Sequence, residues 1–146
     1  MKRLATILLC IITATSAGAR NLLQNSSFEY ATRAENWGHT WGTFILESWN
    51  TPPDGIFAAY IRGSWCKEGT SGGLMQSAAD IVAGATYRVT GYFYVDNGWT
   101  ARTKALKIEF FNDSGSKLLG ATNELADLQN HAWVKEWVQA TAPAGT

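Results

Sequence analysis

Residues 86–95 read Thr-Tyr-Arg-Val-Thr-Gly-Tyr-Phe-Tyr-Val. β-Branched and aromatic residues crowd the run, and Ala83-Gly84 before it and Asp96-Asn97-Gly98 after it carry turn chemistry. That combination predicts a β-strand. Successive side chains of a strand point to opposite faces. Tyr87, Val89, Phe93 and Val95 fall on one face, which reads as core, and Arg88, Thr90, Tyr92, Tyr94 and Asp96 fall on the other. The second face is amphipathic and aromatic rather than simply polar.

The pattern extends outward in both directions. Downstream, Leu106, Ile108 and Phe110 alternate with Lys107 and Glu109, which predicts a strand over 105–111. Asn112-Asp113-Ser114-Gly115-Ser116 then supplies hairpin chemistry, and Leu118-Leu119 begins the return strand. A last strand is expected over 133–140, with Trp133 inward and Trp137 left open. Upstream, strands are expected over 74–81, 56–62 and, more weakly, 44–49, the last ended by Pro52-Pro53-Asp54-Gly55. At 21–29, a short strand burying Leu22 and Leu23 should lead through a polar turn to Phe28-Glu29. Residues 123–129 could form a helical turn before Asn130-His131 breaks it. No long amphipathic helix and no internal repeat is visible. About eight short strands separated by turns predict an all-β, two-sheet antiparallel sandwich.

Residues 1–19 stand apart from this pattern. Lys2 and Arg3 precede an apolar run from Leu4 to Ile12, and Ala17-Gly18-Ala19 offers a small-residue cleavage site. This is the layout of a signal peptide, whose apolar core is too short to cross a bilayer. The expectation is a secreted, extracellular protein with a single domain over 20–146, a length that can bury a real core. No small residue stands just before Cys10 as a lipoprotein signal would have it, so lipid attachment there is not expected.

Charge excludes some partners. The chain carries 12 basic and 12 acidic residues, and without Lys2 and Arg3 the balance is 10 against 12, a net of −2. With no basic stripe, neither nucleic acid nor an anionic membrane is expected as a partner. Past the leader Cys66 is the sole cysteine, so no internal disulfide can form. Cys66 reads as a small buried hydrophobe, with an intermolecular bridge or a reactive thiol as the other reading. Seven Trp, five Tyr, six Phe and 14 Gly fit a β domain rich in turns.

Several short motifs occur in a telling order: Asn21-Leu22-Leu23-Gln24-Asn25 with Phe28-Glu29; Glu47-Ser48-Trp49; Gly72-Gly73-Leu74-Met75-Gln76; Gly84-Ala85-Thr86-Tyr87-Arg88-Val89; Phe110-Phe111-Asn112-Asp113-Ser114-Gly115; and Trp133 with Ala142-Pro143-Ala144-Gly145-Thr146. In that order they resemble the galactose-binding-like jelly-roll carbohydrate-binding modules appended to bacterial xylanases and glucanases. Each motif alone is weak; their succession covers most of 20–146. The resemblance implies a β-jelly roll whose concave face binds polysaccharide or glycan, an attached catalytic domain as companion, and a structural calcium. Glu29 matches the family's acidic calcium ligand. The family's final strand, which carries the partner carboxylate, follows the Ala-Pro-Ala-Gly turn and is not in this sequence. The jelly roll is accordingly expected to lack its last strand here.

Sugars show apolar C–H faces ringed by hydroxyls, so a site for them needs flat aromatic surface and a few fixed polar groups. Tyr92 and Tyr94 supply rings, with Arg88 beside them. Tyr60 and Arg62 share a face of their own strand. Gln76 offers both donor and acceptor. Trp49, Trp65 and Trp99, with Trp37 and Trp41, fall in or beside loops where a ring could cap a cleft. Set against this, Tyr92 and Tyr94 could be ordinary sheet-surface aromatics, and Arg88 and Arg62 could pair with acids such as Asp96 or Glu109.

An enzyme reading has less to stand on. A glycosidase needs two carboxylates facing each other across a cleft, and of the scattered acids Asp96 and Glu109 alone lie on adjacent-looking strands. His39 and His131 lack metal-ligand spacing. Ser71-Gly72-Gly73 is not a nucleophile elbow, and no helix follows the glycines to cradle phosphate. The reading is a non-catalytic binding module. A structural or protein-interaction sandwich of a surface or adhesin protein is the first alternative, and a small secreted glycoside-active enzyme the second.

Overall fold

The computed structural model describes residues 20–29, 36–39, 43–48, 50–62, 73–96, 104–126, 128 and 131–146, with 39, 43–45, 61 and 62 described by backbone alone. The expected leader and Cys66 lie outside these residues. All regular structure among them is β: β1 Gly38–His39, β2 Thr43–Glu47, β3 Ala58–Arg62, β4 Leu74–Met75, β5 Thr86–Phe93, β6 Ala105–Phe111, β7 Lys117–Glu124 and β8 Val134–Thr141. They pair antiparallel as four ribbons, β1–β4, β2–β3, β5–β8 and β6–β7.

Two ribbons hold the core. The β5–β8 ladder runs from Thr86↔Thr141 to Phe93↔Val134 without a slip. Alternation along β5 is complete: odd positions are partly buried and even positions exposed. β8 follows with Val134, Glu136, Val138 and Ala140 inward and Lys135, Trp137, Gln139 and Thr141 outward. Ile108 and Phe110 of β6 pack against Val138 and Ala142, and Tyr87, Val89, Leu106, Ala121 and Ala140 close around them. Tyr87 meets Phe110 edge-on at 6.1 Å, and its hydroxyl accepts the Val82 N–H at 2.8 Å, so the polar tip of an inward ring is satisfied.

Turns enforce this pairing. Gly84 sits at φ 81 in the 82–85 turn, a conformation that costs glycine no steric penalty. Gly84 N–H then donates to Ala142 O, and Ala142 N–H to Ala85 O, extending the β5–β8 ladder past its last formal pair. In the β6–β7 hairpin, Asn112 Oδ1 accepts both the Ser116 N–H and the Ser114 hydroxyl. Gly115 there takes φ 77.

Several expected elements are shorter or different. The strand expected over 74–81 pairs only at Leu74–Met75, because Ser77-Ala78-Ala79 lacks β-branched side chains and Asp80 stands at φ 59. The 86–95 strand ends at Phe93. No strand forms at 21–23: Asn21 Oδ1 captures the Leu23 N–H at 3.0 Å, a local bond that competes with a ladder. Where a helical turn was expected to begin, at Asn123, the described residues are strand instead. Asn123 and Glu124 finish β7 opposite Leu106 and Ala105, and Leu125 N–H donates to Lys104 O; cross-strand pairing outweighs a weak local preference. β1 had no counterpart in the sequence reading.

Candidate functional site: the outward face of the β5–β8 ribbon

The outward face of this ribbon carries eight side chains in four opposed pairs: Thr86 and Thr141, Arg88 and Gln139, Thr90 and Trp137, Tyr92 and Lys135. Tyr92 is 44% and Trp137 51% exposed. The two rings lie diagonally across the ladder from each other and give this face an exposed aromatic surface.

Both rings carry a cation. The Arg88 guanidinium lies 4.7 Å from the Trp137 ring centre, reached diagonally across the ladder. Lys135 Nζ lies 5.5 Å from the Tyr92 ring centre, directly opposite. Arg88 is also tethered, donating from Nε and Nη2 to Gln139 Oε1 at 3.1 and 2.8 Å. At one end Thr86 and Thr141 hydroxyls bond each other at 3.0 Å. The strand beneath Trp137 is steadied from the second ribbon, where Asn123 Nδ2 donates to Trp137 O at 2.9 Å and to Glu136 Oε2 at 3.0 Å.

The other expected site residues fall elsewhere or outside the description. Tyr94, which shares Tyr92's parity, lies past the end of β5 and is half-buried. Its ring packs 5.3 Å from Trp133, and its hydroxyl meets His131 Nδ1 at 3.1 Å. Asp96 Oδ1 is 3.9 Å from the same nitrogen. Trp133 is therefore half-covered by Tyr94 rather than buried in the core cluster. Tyr60 belongs to the β2–β3 ribbon, opposite Ile45, and among the described residues that ribbon pairs with neither β5 nor β8. The Arg62 side chain, Trp49, Trp65 and Trp99 lie outside the described residues.

Gln76 spends its amide on the backbone of the first residues. Its Oε1 accepts the Gln24 N–H at 2.7 Å, and its Nε2 donates to Gln24 O at 2.9 Å. This two-way clamp ties the 21–29 motif to residues 73–80. Beside it opens a polar concavity of about 400 Å³, bordered by Arg20, Asn36, Gln76 and Asp80.

Glu29 is a loop latch. Its Oε1 accepts the N–H groups of Ile56 at 2.7 Å and Phe57 at 3.0 Å. Gly55, at φ 77, passes so close that a Cβ there would strike the Glu29 carboxylate. Two N–H donors on Oε1 present positive ends where a calcium would need oxygen ligands. Among the described residues no three His, Cys, Asp or Glu side chains form a metal-binding group. Nothing here beyond the resemblance points to calcium.

The suggested acid pair is separated by its partners. Glu109 forms an ion pair with Lys117 across the β6–β7 hairpin, whereas Asp96 faces His131. Sequence reading missed Trp137 and Lys135 as companions of Tyr92 and Arg88. Their odd-number parity on the last strand was visible, but the register that sets 137 opposite 90 and 135 opposite 92 was not. Comparison with protein-family models, curated proteins and solved structures yields no match.

Proposed function

We propose that this chain is a secreted, non-catalytic carbohydrate-binding β-sandwich of jelly-roll type. It adsorbs reversibly to polysaccharide through Tyr92 and Trp137, with Arg88, Lys135 and Gln139 bonding hydroxyls or ring substituents. The observation that carries this reading is the exposed Tyr92–Trp137 face, built on a slip-free ladder and braced from behind by Asn123. Two rigid aromatic surfaces with fixed donors beside them are what a wet, modest-affinity sugar site requires. In a longer polypeptide such a module would keep an attached glycoside hydrolase near its substrate by raising effective concentration. A structural calcium remains part of the reading through the family resemblance alone.

The test is affinity electrophoresis of the chain through gels loaded with soluble plant and microbial polysaccharides, with and without chelator. Retardation by at least one polysaccharide, lost in Tyr92→Ala and Trp137→Ala variants, is expected. Free migration in every gel would overturn the proposal.

A second reading has its own observation. Phe111, Leu118 and Leu119 at the β6–β7 hairpin are 40–46% exposed, and this apolar end suits a protein partner. Under that reading the chain would be a structural or interaction sandwich. Light scattering that shows association, abolished by Leu119→Asp, would favour it.

A further inference from the structure

The β5–β8 face holds two cations and no acid. Its eight outward residues are three threonines with Arg88, Lys135, Gln139, Tyr92 and Trp137; none bears a carboxylate. The chain as a whole is neutral, with 12 basic and 12 acidic residues, so the excess is a matter of placement. The nearby acids are turned away or engaged. Glu136 points to the reverse side, where Asn123 bonds it. Glu109 is paired with Lys117 on the other ribbon, and Asp96 lies beyond the strand end beside His131. Among the described residues neither Arg88 nor Lys135 has a carboxylate partner; Arg88 is held by a neutral amide.

From this charge complementarity we infer that the ligand of this face is an acidic polysaccharide, one whose pyranose units carry carboxylates. The inference rests on the proposed carbohydrate-binding function and names its substrate class. Each cation already stands over a ring, so one unit of chain can meet both: the C–H face covers the aromatic and the equatorial carboxylate at the ring edge pairs with the cation. A guanidinium fixed on one edge by Gln139 still has N–H groups for a planar carboxylate. Trp137, opposite Thr90, and Tyr92 are diagonal neighbours about 7–8 Å apart, so the two cation–ring pairs suit adjoining units of one sugar chain. A neutral sugar would leave both charges without a counterpart, whereas a polyanion replaces their counterions.

The test is affinity electrophoresis of the full chain at low and at about 0.5 M salt, where exposed charge pairs are screened. The gels would hold polygalacturonate, chondroitin sulfate, neutral mixed-linkage β-glucan or single-stranded DNA. The expected result is strongest retention by polygalacturonate, weakened about tenfold or more by salt. Lys135→Gln and Arg88→Gln should each reduce it severalfold, and the double variant should retain no preference over neutral glucan. Thermal melts unchanged by these exposed substitutions would keep a folding defect out of the comparison. Equal, salt-independent retention by neutral glucan and polygalacturonate would overturn the inference while leaving the carbohydrate reading intact. Stronger retention by chondroitin sulfate, or equal retention by DNA, would also overturn it, the first in favour of sulfate esters and the second in favour of unselective polyanion binding. Retention by no polysaccharide would overturn the proposed function itself.

Discussion

Arg88 and Trp137 stand on different strands, two register pairs out of line on the same face, with the guanidinium 4.7 Å from the centre of the indole. The contact exists because Arg88 donates sideways to Gln139 while its planar end leans over the neighbouring ring. It fixes a long side chain that would otherwise sample many rotamers. Ordering it beforehand lowers the entropy lost on binding.

Removing either ring should separate binding from stability. Trp137→Ala and Tyr92→Ala are each expected to weaken polysaccharide binding by roughly 1–3 kcal/mol, by analogy with stacking losses elsewhere. Both side chains are about half exposed, so the unfolding free energy should move by less than about 1 kcal/mol. Titration calorimetry and urea melts of the same samples check this. A large stability loss with binding retained would refute the assignment.

The loop latch should prove sensitive to geometry more than to charge. Glu29→Gln keeps a carbonyl oxygen for the Ile56 and Phe57 amides and should leave the melting temperature within a few degrees. Glu29→Ala strips both N–H groups of their acceptor and should cost about 1–3 kcal/mol. Gly55→Ala combines a positive φ with a steric clash against the same carboxylate and should be at least as harmful. Differential scanning calorimetry of the three variants ranks them; equal melting of the Gln and Ala variants would show that the latch contributes nothing.

Asn123 couples the two ribbons through one NH₂ group shared between Glu136 and the Trp137 carbonyl. Asn123→Ala should cost about 1–2 kcal/mol and weaken ligand binding as well, since the strand beneath the indole loses its brace. Asn123→Asp removes the donor and sets a second carboxylate beside Glu136, so it should be worse at neutral pH. Hydrogen exchange at the Trp137 and Val138 amides gives the local readout.

Phe110 is 4% exposed and lies at the centre of the core cluster. Phe110→Ala should cost about 3–5 kcal/mol. In a domain of this size that approaches the whole of its stability, so far-UV circular dichroism should show a chain mostly unfolded at body temperature.

The β character, the two faces of residues 86–93, the 105–111 strand and its hairpin turn were legible in the sequence because each rests on local alternation and turn residues. Where pairing depended on distant partners, the sequence was silent. It could place Tyr92 outward but not set Lys135 across from it. Gln76 was suggested as a sugar contact for its donor and acceptor, and Glu29 as a calcium ligand by the resemblance, whereas the fold uses both side chains to satisfy backbone groups at Gln24, Ile56 and Phe57. Tyr94 shows the limit of parity: two residues past Tyr92, beyond the end of the ladder, its ring turns to Trp133 and His131.

The β5–β8 ladder joins strands separated by the entire β6–β7 hairpin. The hairpin can form early from local contacts, but closing β8 onto β5 carries the loop entropy of everything between them and should come late in folding. Nascent chains would then hold β5 unpaired until β8 emerges. A ligand touching both Arg88 and Lys135 bridges the two strands and so acts as a clasp across this late-closing seam. Its affinity would be recovered as added resistance to unfolding in proportion to its concentration.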